Sequence, residues 1–373
     1  MALTDSPSVS DERAAALATF DRLSAERTID DDANYQWRVA RPPVGNVTPD
    51  DFAWHVADVP EPGPGEVLLK THYLGLAPVM RFYMQGTGAA GEAVLAPGDV
   101  IHGRGVAQIV KSRHADWQEG QIVQGQLGWQ TYKVSAMTPQ EKFFAMPNNG
   151  LPAALGAGVL GMTGLSAYAG FFLCGDPQPD DRMVLSGAAG GVGSMVAQMA
   201  SHVVGCDVVG IAGGGDKCQF IRELGCRGAI DYKRDDVAAA LDETQPDGID
   251  LYFDNVGGEI LEACLERLRL NARVVLCGSI SEYTREVPFA LSNYTRLRRC
   301  DARMQGFFVY NHLSRWDECM GNLADWIHDG KLRPVQDIED GFRNMPRALA
   351  NLYYGANVGV QCCSVRGEPT EWQ

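Results

Sequence analysis

Residues 184–194 read VLSGAAGGVGS, an apolar run that ends in glycines and alanines. Glycine sacrifices backbone order, so a cluster of it marks a chain that turns tightly or a partner that must approach the backbone closely. RMVLS reads as a buried strand. Ala188-x-Gly190-x-x-Gly193 then fills a glycine-turn pattern, and Val196, Met199, Ala200 and Val203 follow on one helical face. A strand, a small-residue turn and a helix in that order open a βαβ unit. The N-terminus of such a helix offers N–H groups to a pyrophosphate. A unit of this kind cannot stand alone; it requires further parallel strands, joined by helices, on the same sheet.

The chain supplies them. Strand-like segments at 183–186, 207–212, 228–232, 249–254, 272–277 and 304–309 alternate with helical ones at 194–204, 216–224, 234–242 and 258–268. This alternation predicts an α/β fold with a doubly wound parallel sheet of the Rossmann type. Amphipathic helices are expected again at 314–329, ended by Gly330, and at 345–354. Residues 37–150 have a different texture, with short β-rich runs such as GEVLLKTHYLGL and GQIVQGQLGWQTYKV between Gly and Pro. They predict a small, mostly antiparallel β-barrel. Residues 8–27 form a helical pattern through Ala16, Phe20 and Leu23 that DDDAN breaks. That helix is expected on the body of the protein or on a partner subunit. With 373 residues, 45% of them hydrophobic, the chain can fill two cores.

A net charge of −15 with no basic patch argues against a nucleic-acid partner. No apolar run reaches the roughly 18 residues that span a bilayer, and MALTDSPSVSDER lacks the features of a signal peptide, so a cytoplasmic protein without a membrane partner is expected. All ten cysteines lie from Cys174 onward without a C-x-x-C spacing, which reads as reduced thiols used as small core residues.

The kind of dinucleotide is decided at the end of the second strand, where an acidic side chain would accept the ribose hydroxyls of NAD. Ala212 or Gly213 occupies that place in GIAGGGDKC, and Lys217 follows in the first turn of the next helix. A cation there is unfavourable by up to about 1 kcal/mol unless an anion neutralises it. A 2′-phosphate would, which favours NADPH over NADH. The alternative is a solvated Lys217 with Asp216 as the N-cap. Tyr232, at the end of the third strand, is placed to lie against the same phosphate or the adenine. Hydride chemistry then needs a Lewis acid or a proton donor. No zinc site is expected: the barrel half has no cysteine, and His55, His72, His102 and His114 show no ligand spacing. Hydroxyl donors remain at the carboxyl ends of strands four to six, in FDNVGG, CGSISEYT and GFFVYN. Asn255 is positioned to meet the cofactor. Tyr283, with a reference pKa near 10, is the leading acid candidate. A packing role for Tyr283 is the alternative, because Tyr294 and Tyr310 lie in the same region.

Together these segments resemble the zinc-independent medium-chain dehydrogenase/reductase superfamily, and within it the prostaglandin reductase, leukotriene B4 dehydrogenase and plant double-bond reductase group of NADPH-dependent alkenal/one reductases. The likeness runs over residues 37–361 through TPDDFAW, PEPGPGEVLLK, GMTGLSAYAGF, SGAAGGVGS, GDKC, AIDYK, DNVGG, CGSIS-x-Y, GFFVY and GFRNMPRAL. It implies an N-terminal extension over 1–36, a GroES-like substrate domain over 37–160, and a Rossmann NADPH-binding domain over 161–336. A C-terminal segment, 337–373, would return to the substrate domain, with a cleft between the domains and a homodimer as the assembly.

The resemblance also implies that Gly190, Gly191, Val192, Gly193, Ser194, Lys217, Tyr232, Asn255, Cys277, Gly278, Ser279, Ile280, Phe307, Phe308, Val309 and Asn357 touch NADPH. Hydride would reach the β-carbon of an enone or enal, and Tyr283 and a cofactor ribose hydroxyl would hold the enolate. Where the group has L-D-P-Y-M-R this chain has LAPVMR, so either Ala77 and Val79 make a more apolar pocket or Tyr83 reaches in as a substitute hydroxyl. G-M-P-G has become GMTG, which brings in Thr163, and the terminal G-D-N-x-G has become GANVG. The expected substrate pocket comprises Val79, Tyr83, Met162, Thr163 and Tyr294. A zinc-free quinone reductase and a non-catalytic NADPH-binding protein are the alternative functions.

Overall fold

The computed structural model describes residues 9–24, 29–86, 94–370 and 372. Two units emerge: Met1–Ala154 with Ile338–Ala356 and Gln361–Gln373, and Leu155–Asp337 with Asn357–Val360.

In the first unit the single helix expected over 8–27 is two, α1 (Val9–Ala18) and α2 (Asp21–Ser24); residues 8 and 25–27 lie outside the described ones. The break has a packing cause. Phe20 is 2% exposed and meets the Phe52 ring edge-on at 6.4 Å, so the chain tightens through Phe20 N–H to Leu17 O (3.0 Å) to bring the ring inward. Arg22 pairs with Asp50, and Arg347 lies 3.6 Å from Asp21. The extension is therefore part of this unit's own body.

Strands β1 (Ala33–Val39) and β2 (Phe52–Asp58) pair antiparallel, with Trp37 opposite Trp54. They are followed by β3 (Val67–Gly75), α3 (Met80–Met84), β4 (Arg104–Ser112), β5 (Ile122–Gln126), β6 (Tyr132–Ser135) and β7 (Phe144–Ala145). The core is aromatic. Phe52 stacks on the fully buried Trp129 at 5.8 Å, and the Trp37 indole N–H donates to Phe342 O at 3.0 Å. Each large side chain moved from water contributes about 1.5–3 kcal/mol, and the indole stays satisfied.

The second unit begins with α4 (Met162–Tyr168) and continues β8 (Arg182–Ser186), α5 (Gly191–Gln198), β9 (Asp207–Ala212), α6 (Gly215–Glu223), β10 (Gly228–Asp231), α7 (Val237–Thr244), β11 (Ile249–Asp254), α8 (Gly258–Leu265), β12 (Leu268–Leu276), α9 (Arg296–Arg299), β13 (Arg303–Gly306) and α10 (Trp316–His328). The sheet order is β10-β9-β8-β11-β12-β13, all parallel, with the topological reversal beside β8. Several boundaries differ from expectation, among them α7 (Val237–Thr244 against 234–242) and α8 (Gly258–Leu265 against 258–268). β12 starts at Leu268 instead of 272, and β13 stops at Gly306 because Val309–Arg315 winds into a tight helical turn. Last come β14 (Gln336–Asp340), α11 (Met345–Tyr353) and β15 (Val360–Ser364). The antiparallel sheet runs β14-β15-β3-β4-β5-β7, with β6 also on β3; Cys362 faces Gly75, and Ser364 faces Tyr73. Among the described residues no helix is long and apolar enough to cross a membrane.

Candidate active site

The glycine turn is built as its composition requires. Ser186 ends β8, Gly187 takes φ +60°, and no side chain caps α5 at its N-cap, Gly190. A Cβ on Gly193 would stand 2.2 Å from Gly187 O, so only glycine lets the helix start this close to the strand. The first N–H groups of α5, at Gly191, Val192 and Gly193, have no intrahelical acceptor, and no side chain of the N-cap residue reaches them. Ser194 is buried, and its hydroxyl donates to Gly191 O at 3.2 Å, so it faces the helix backbone. A Cβ at Gly191 would meet the Thr163 methyl at 3.3 Å, which brings the GMTG stretch at the start of α4, Met162 and Thr163, beside the glycine turn. On the same turn, Gly359 N–H donates to Ala189 O at 2.8 Å, and the buried Asn357 amide donates to Gly359 O at 2.9 Å.

β9 ends at Ala212 without a carboxylate. The Tyr232 ring lies over Gly213, where a Cβ would come within 2.7 Å of it, and Tyr232 itself is 48% exposed. α6 starts at Gly215 with Gly214 as N-cap (φ +99°), so Asp216 is a first-turn residue, not the cap, and Lys217 stands third in the helix. Around Gly214 and Gly215 there is open space for at least 4 Å from a notional Cβ. Sequence reasoning missed Asp231: it ends β10, and its Oδ1 accepts the N–H groups of Gly214 (2.7 Å) and Lys233 (3.1 Å).

β11 ends in Asp254, which is 1% exposed. Its Oδ1 accepts from the Tyr252 hydroxyl (2.6 Å), the Ser186 hydroxyl (2.8 Å) and Val256 N–H (3.0 Å), and Gly257 N–H shares both its oxygens at 3.1 Å. Asn255 is held in turn by Ser186, through its N–H to the hydroxyl and its amide to the carbonyl, both at 2.8 Å. Beyond β12, Cys277 and Gly278 donate to Asp254 O, and Ile280 to Asn255 O. A helical turn follows through Ser279 to Tyr283. A cavity of about 370 Å³ lies here, with Cys277, Ser279, Tyr283, Leu261, Phe289 and Leu291 in its wall.

Burial pushes the Tyr283 hydroxyl above its ordinary value near 10, partly offset by hydrogen bonds from the Ser279 backbone and side chain. It is therefore a protonated donor through neutral and mildly alkaline pH. The Cys277 thiol is pushed up to about 12 by burial and then by the charge of Asp254, so it stays protonated and non-nucleophilic.

Phe307 packs over Gly170 and edge-on to His312 at 6.0 Å; Phe308 meets Tyr310 edge-on at 5.1 Å, and Val309 opens the turn after them. Tyr294 is 60% exposed and does not line the cavity that Phe289 and Leu291 enter from the same segment. In the first unit, Val79 precedes α3, and Tyr83 within it meets the His102 ring edge-on at 5.4 Å. Among the described residues no group of three or more His, Cys, Asp or Glu could hold a metal ion.

Two family profiles match the chain: one described as the N-terminal domain of oxidoreductase, over residues 35–143, and one described as zinc-binding dehydrogenase, over 191–327. An NADP⁺-dependent 2-alkenal reductase of Nicotiana tabacum is 36% identical over 83% of this chain and 90% of its own length. An NADPH-dependent curcumin reductase of Escherichia coli is 35% identical over 90% and 98%. The crystal structure of CurA in complex with NADPH from Vibrio vulnificus superposes with a TM-score of 0.83 at 34% identity, over 89% of this chain and 99% of that one. The chain belongs to the zinc-independent medium-chain dehydrogenase/reductase superfamily, in its group of alkenal/one reductases.

Proposed function

We propose that this NADPH-dependent reductase of C=C bonds acts on α,β-unsaturated ketones or aldehydes in the cytoplasm, with Tyr283 as its proton-bearing catalytic residue. Bound NADPH would supply the hydride, delivered to the β-carbon of the substrate. The cofactor fits what the chain offers: the uncapped α5 N-terminus suits a pyrophosphate, and the open space around Gly214 and Gly215, with Lys217 in the first turn of α6, suits a 2′-phosphate. Tyr232 would flank that phosphate or the adenine, and Asn255, the Cys277–Ile280 backbone, the Phe307–Val309 backbone and Asn357 would border the nicotinamide half. Reduction of the double bond drives negative charge onto the carbonyl oxygen. Tyr283 would hold that enolate with its O–H, alongside a ribose hydroxyl. Val79, Tyr83, Met162, Thr163 and Tyr294 remain the proposed substrate contacts. In this reading the enzyme is a homodimer, and the sheet edge formed by β13 offers backbone groups for pairing.

The observation that carries the reading is Tyr283, a half-buried tyrosine in the wall of a cavity at the carboxyl end of the parallel sheet, where burial favours the protonated hydroxyl. NADPH absorbance followed with an alkenone and with a quinone tests it, for the wild type and for Tyr283→Phe. Alkenone turnover that collapses in the variant supports the reading. Quinone turnover that ignores the substitution, without alkenone turnover, points to a quinone reductase, and NADPH binding without any turnover points to a non-catalytic protein. Light scattering tests the dimer.

A further inference from the structure

Asp254 has a chemistry that a strand end does not require. It is 1% exposed, and its hydrogen bonds come from two hydroxyls and two backbone N–H groups. Burying a carboxylate is costly, so every one of its donors has to be held in place. Those donors belong to different pieces of the site. Ser186 is the last residue before the glycine turn, and Val256 and Gly257 form the loop after β11. The backbone of that loop in turn carries the Tyr283 turn: Asp254 O accepts from Cys277 and Gly278 (2.9 and 3.1 Å), Asn255 O from Ile280 (3.3 Å), and Val256 O from the Ser281 hydroxyl (2.6 Å). The space is tight as well as bonded, because a Cβ on Gly187 would stand 3.2 Å from the Asn255 Cβ, and one on Gly257 3.2 Å from the Ser279 Cβ.

We propose that Asp254 is a positioning residue that locks the glycine turn, the Asn255–Gly257 loop and the Cys277–Tyr283 turn into one rigid frame for the nicotinamide and the acid. The inference rests on the proposed role of that loop toward NADPH and of Tyr283 toward the substrate. At 1% exposure, with its oxygens taken up by protein donors, Asp254 acts through Ser186, Asn255 and the turn that carries Tyr283. In Asp254→Asn an amide oxygen in the Oδ1 place can still accept from Tyr252, Ser186 and Val256, but the N–H₂ then faces Gly257 N–H where Oδ2 accepted, and the charge that strengthened all four bonds is gone, so the loop is held more weakly. Tyr252→Phe is the comparison, because it removes one buried donor to the same carboxylate and leaves the loop's own bonds in place.

NADPH affinity is read by the fluorescence change on binding, kcat with an alkenone, and folding by thermal melting. The expected result for Asp254→Asn is a roughly tenfold weaker NADPH Kd, equivalent to about 1.4 kcal/mol, together with a kcat at least tenfold lower. Tyr252→Phe is expected to lose comparable thermal stability while Kd and kcat stay within about twofold. Matching Kd and kcat in the two variants would overturn the proposal and leave Asp254 a purely structural carboxylate. Should Asp254→Asn not fold, Ser186→Ala decides: a weaker NADPH Kd in a folded protein supports the frame, and an unchanged one overturns it. Tyr283→Phe in the same assays separates the two ideas. Full alkenone turnover there removes the acid, while the NADPH Kd of Asp254→Asn still reports on the frame.

Discussion

Two aspartates end parallel strands of one sheet, and each catches a glycine N–H from a loop, yet their surroundings are opposites. Asp254 is closed in by hydroxyls and by loop backbone, with crowded glycines on either side. Asp231, at 8% exposure, accepts from Gly214 and Lys233, and beyond Gly214 and Gly215 there is open space. The difference follows what each end is proposed to do. Hydride transfer tolerates little displacement of reacting atoms, so the loops that would frame it are bonded on several sides. A phosphate dianion needs charge and room more than fixed geometry, because a flexible lysine can follow it.

The largest effect should come from the crowded end. Tyr283→Phe keeps the ring and removes the O–H, and the loss of one such donor costs about 10²–10³ in kcat. The pH profile adds a signature. Tyr283's pKa is raised by burial, so the donor form persists above the ordinary value near 10 and is lost only as pH climbs through the folded value. Wild-type kcat should therefore stay level through pH 9 and fall beyond 10, a fall that is absent from the residual rate of the phenylalanine variant. A wild-type loss of rate between pH 7 and 8 would remove Tyr283 from the chemistry.

A pair of alanines sharpens the contrast without touching a polar group. Gly193→Ala drives a methyl to within 2.2 Å of Gly187 O, where the backbone itself must yield. Overpacking of this kind costs about 1–3 kcal/mol, roughly 2–4 °C in Tm per kcal/mol for a unit of this size. NADPH binding should weaken with it. Gly215→Ala meets nothing within 4 Å and places a better helix former at the first position of α6. Its melting temperature should hold or rise slightly. Equal losses in the two variants would erase the distinction between a tight and an open end.

Much of this was legible in the sequence, because short-range pattern determines it. The six alternating strands gave the sheet, and the glycine spacing gave the turn on β8. What escaped was long-range. Nothing local to DNVGG shows that its aspartate binds Ser186, 68 residues earlier, although Tyr252 and Asp254, two apart on a strand, share a face and hinted at the pair. The Gly214–Asp231 bond is likewise a cross-loop bond, made where two strands end together. The break at Phe20 was hidden because the hydrophobic spacing suits an unbroken helix; the distant Phe52 ring is what breaks it.

At the open end, Lys217→Ala should weaken NADPH by about tenfold to a hundredfold, since a charge-assisted bond contributes about 1.5–3 kcal/mol. NADH, without the 2′-phosphate, should be almost unaffected. Equal losses for both cofactors would move Lys217 out of the phosphate niche.

The smallest effect should come from Asp231→Asn, and its sign is informative. The amide oxygen of asparagine can go on accepting from Gly214 and Lys233, so the geometry of the loop survives. What disappears is a negative charge held beside the proposed phosphate niche. Like charges in a partly solvated site repel weakly, and salt screens what remains, over a Debye length of about 10 Å at 0.1 M. NADPH should therefore bind up to about threefold more tightly at low salt, with the gain gone at high salt and no gain for NADH. A tenfold loss instead would mean that the carboxylate charge itself holds the loop, and the two aspartates would then be tethers of the same kind.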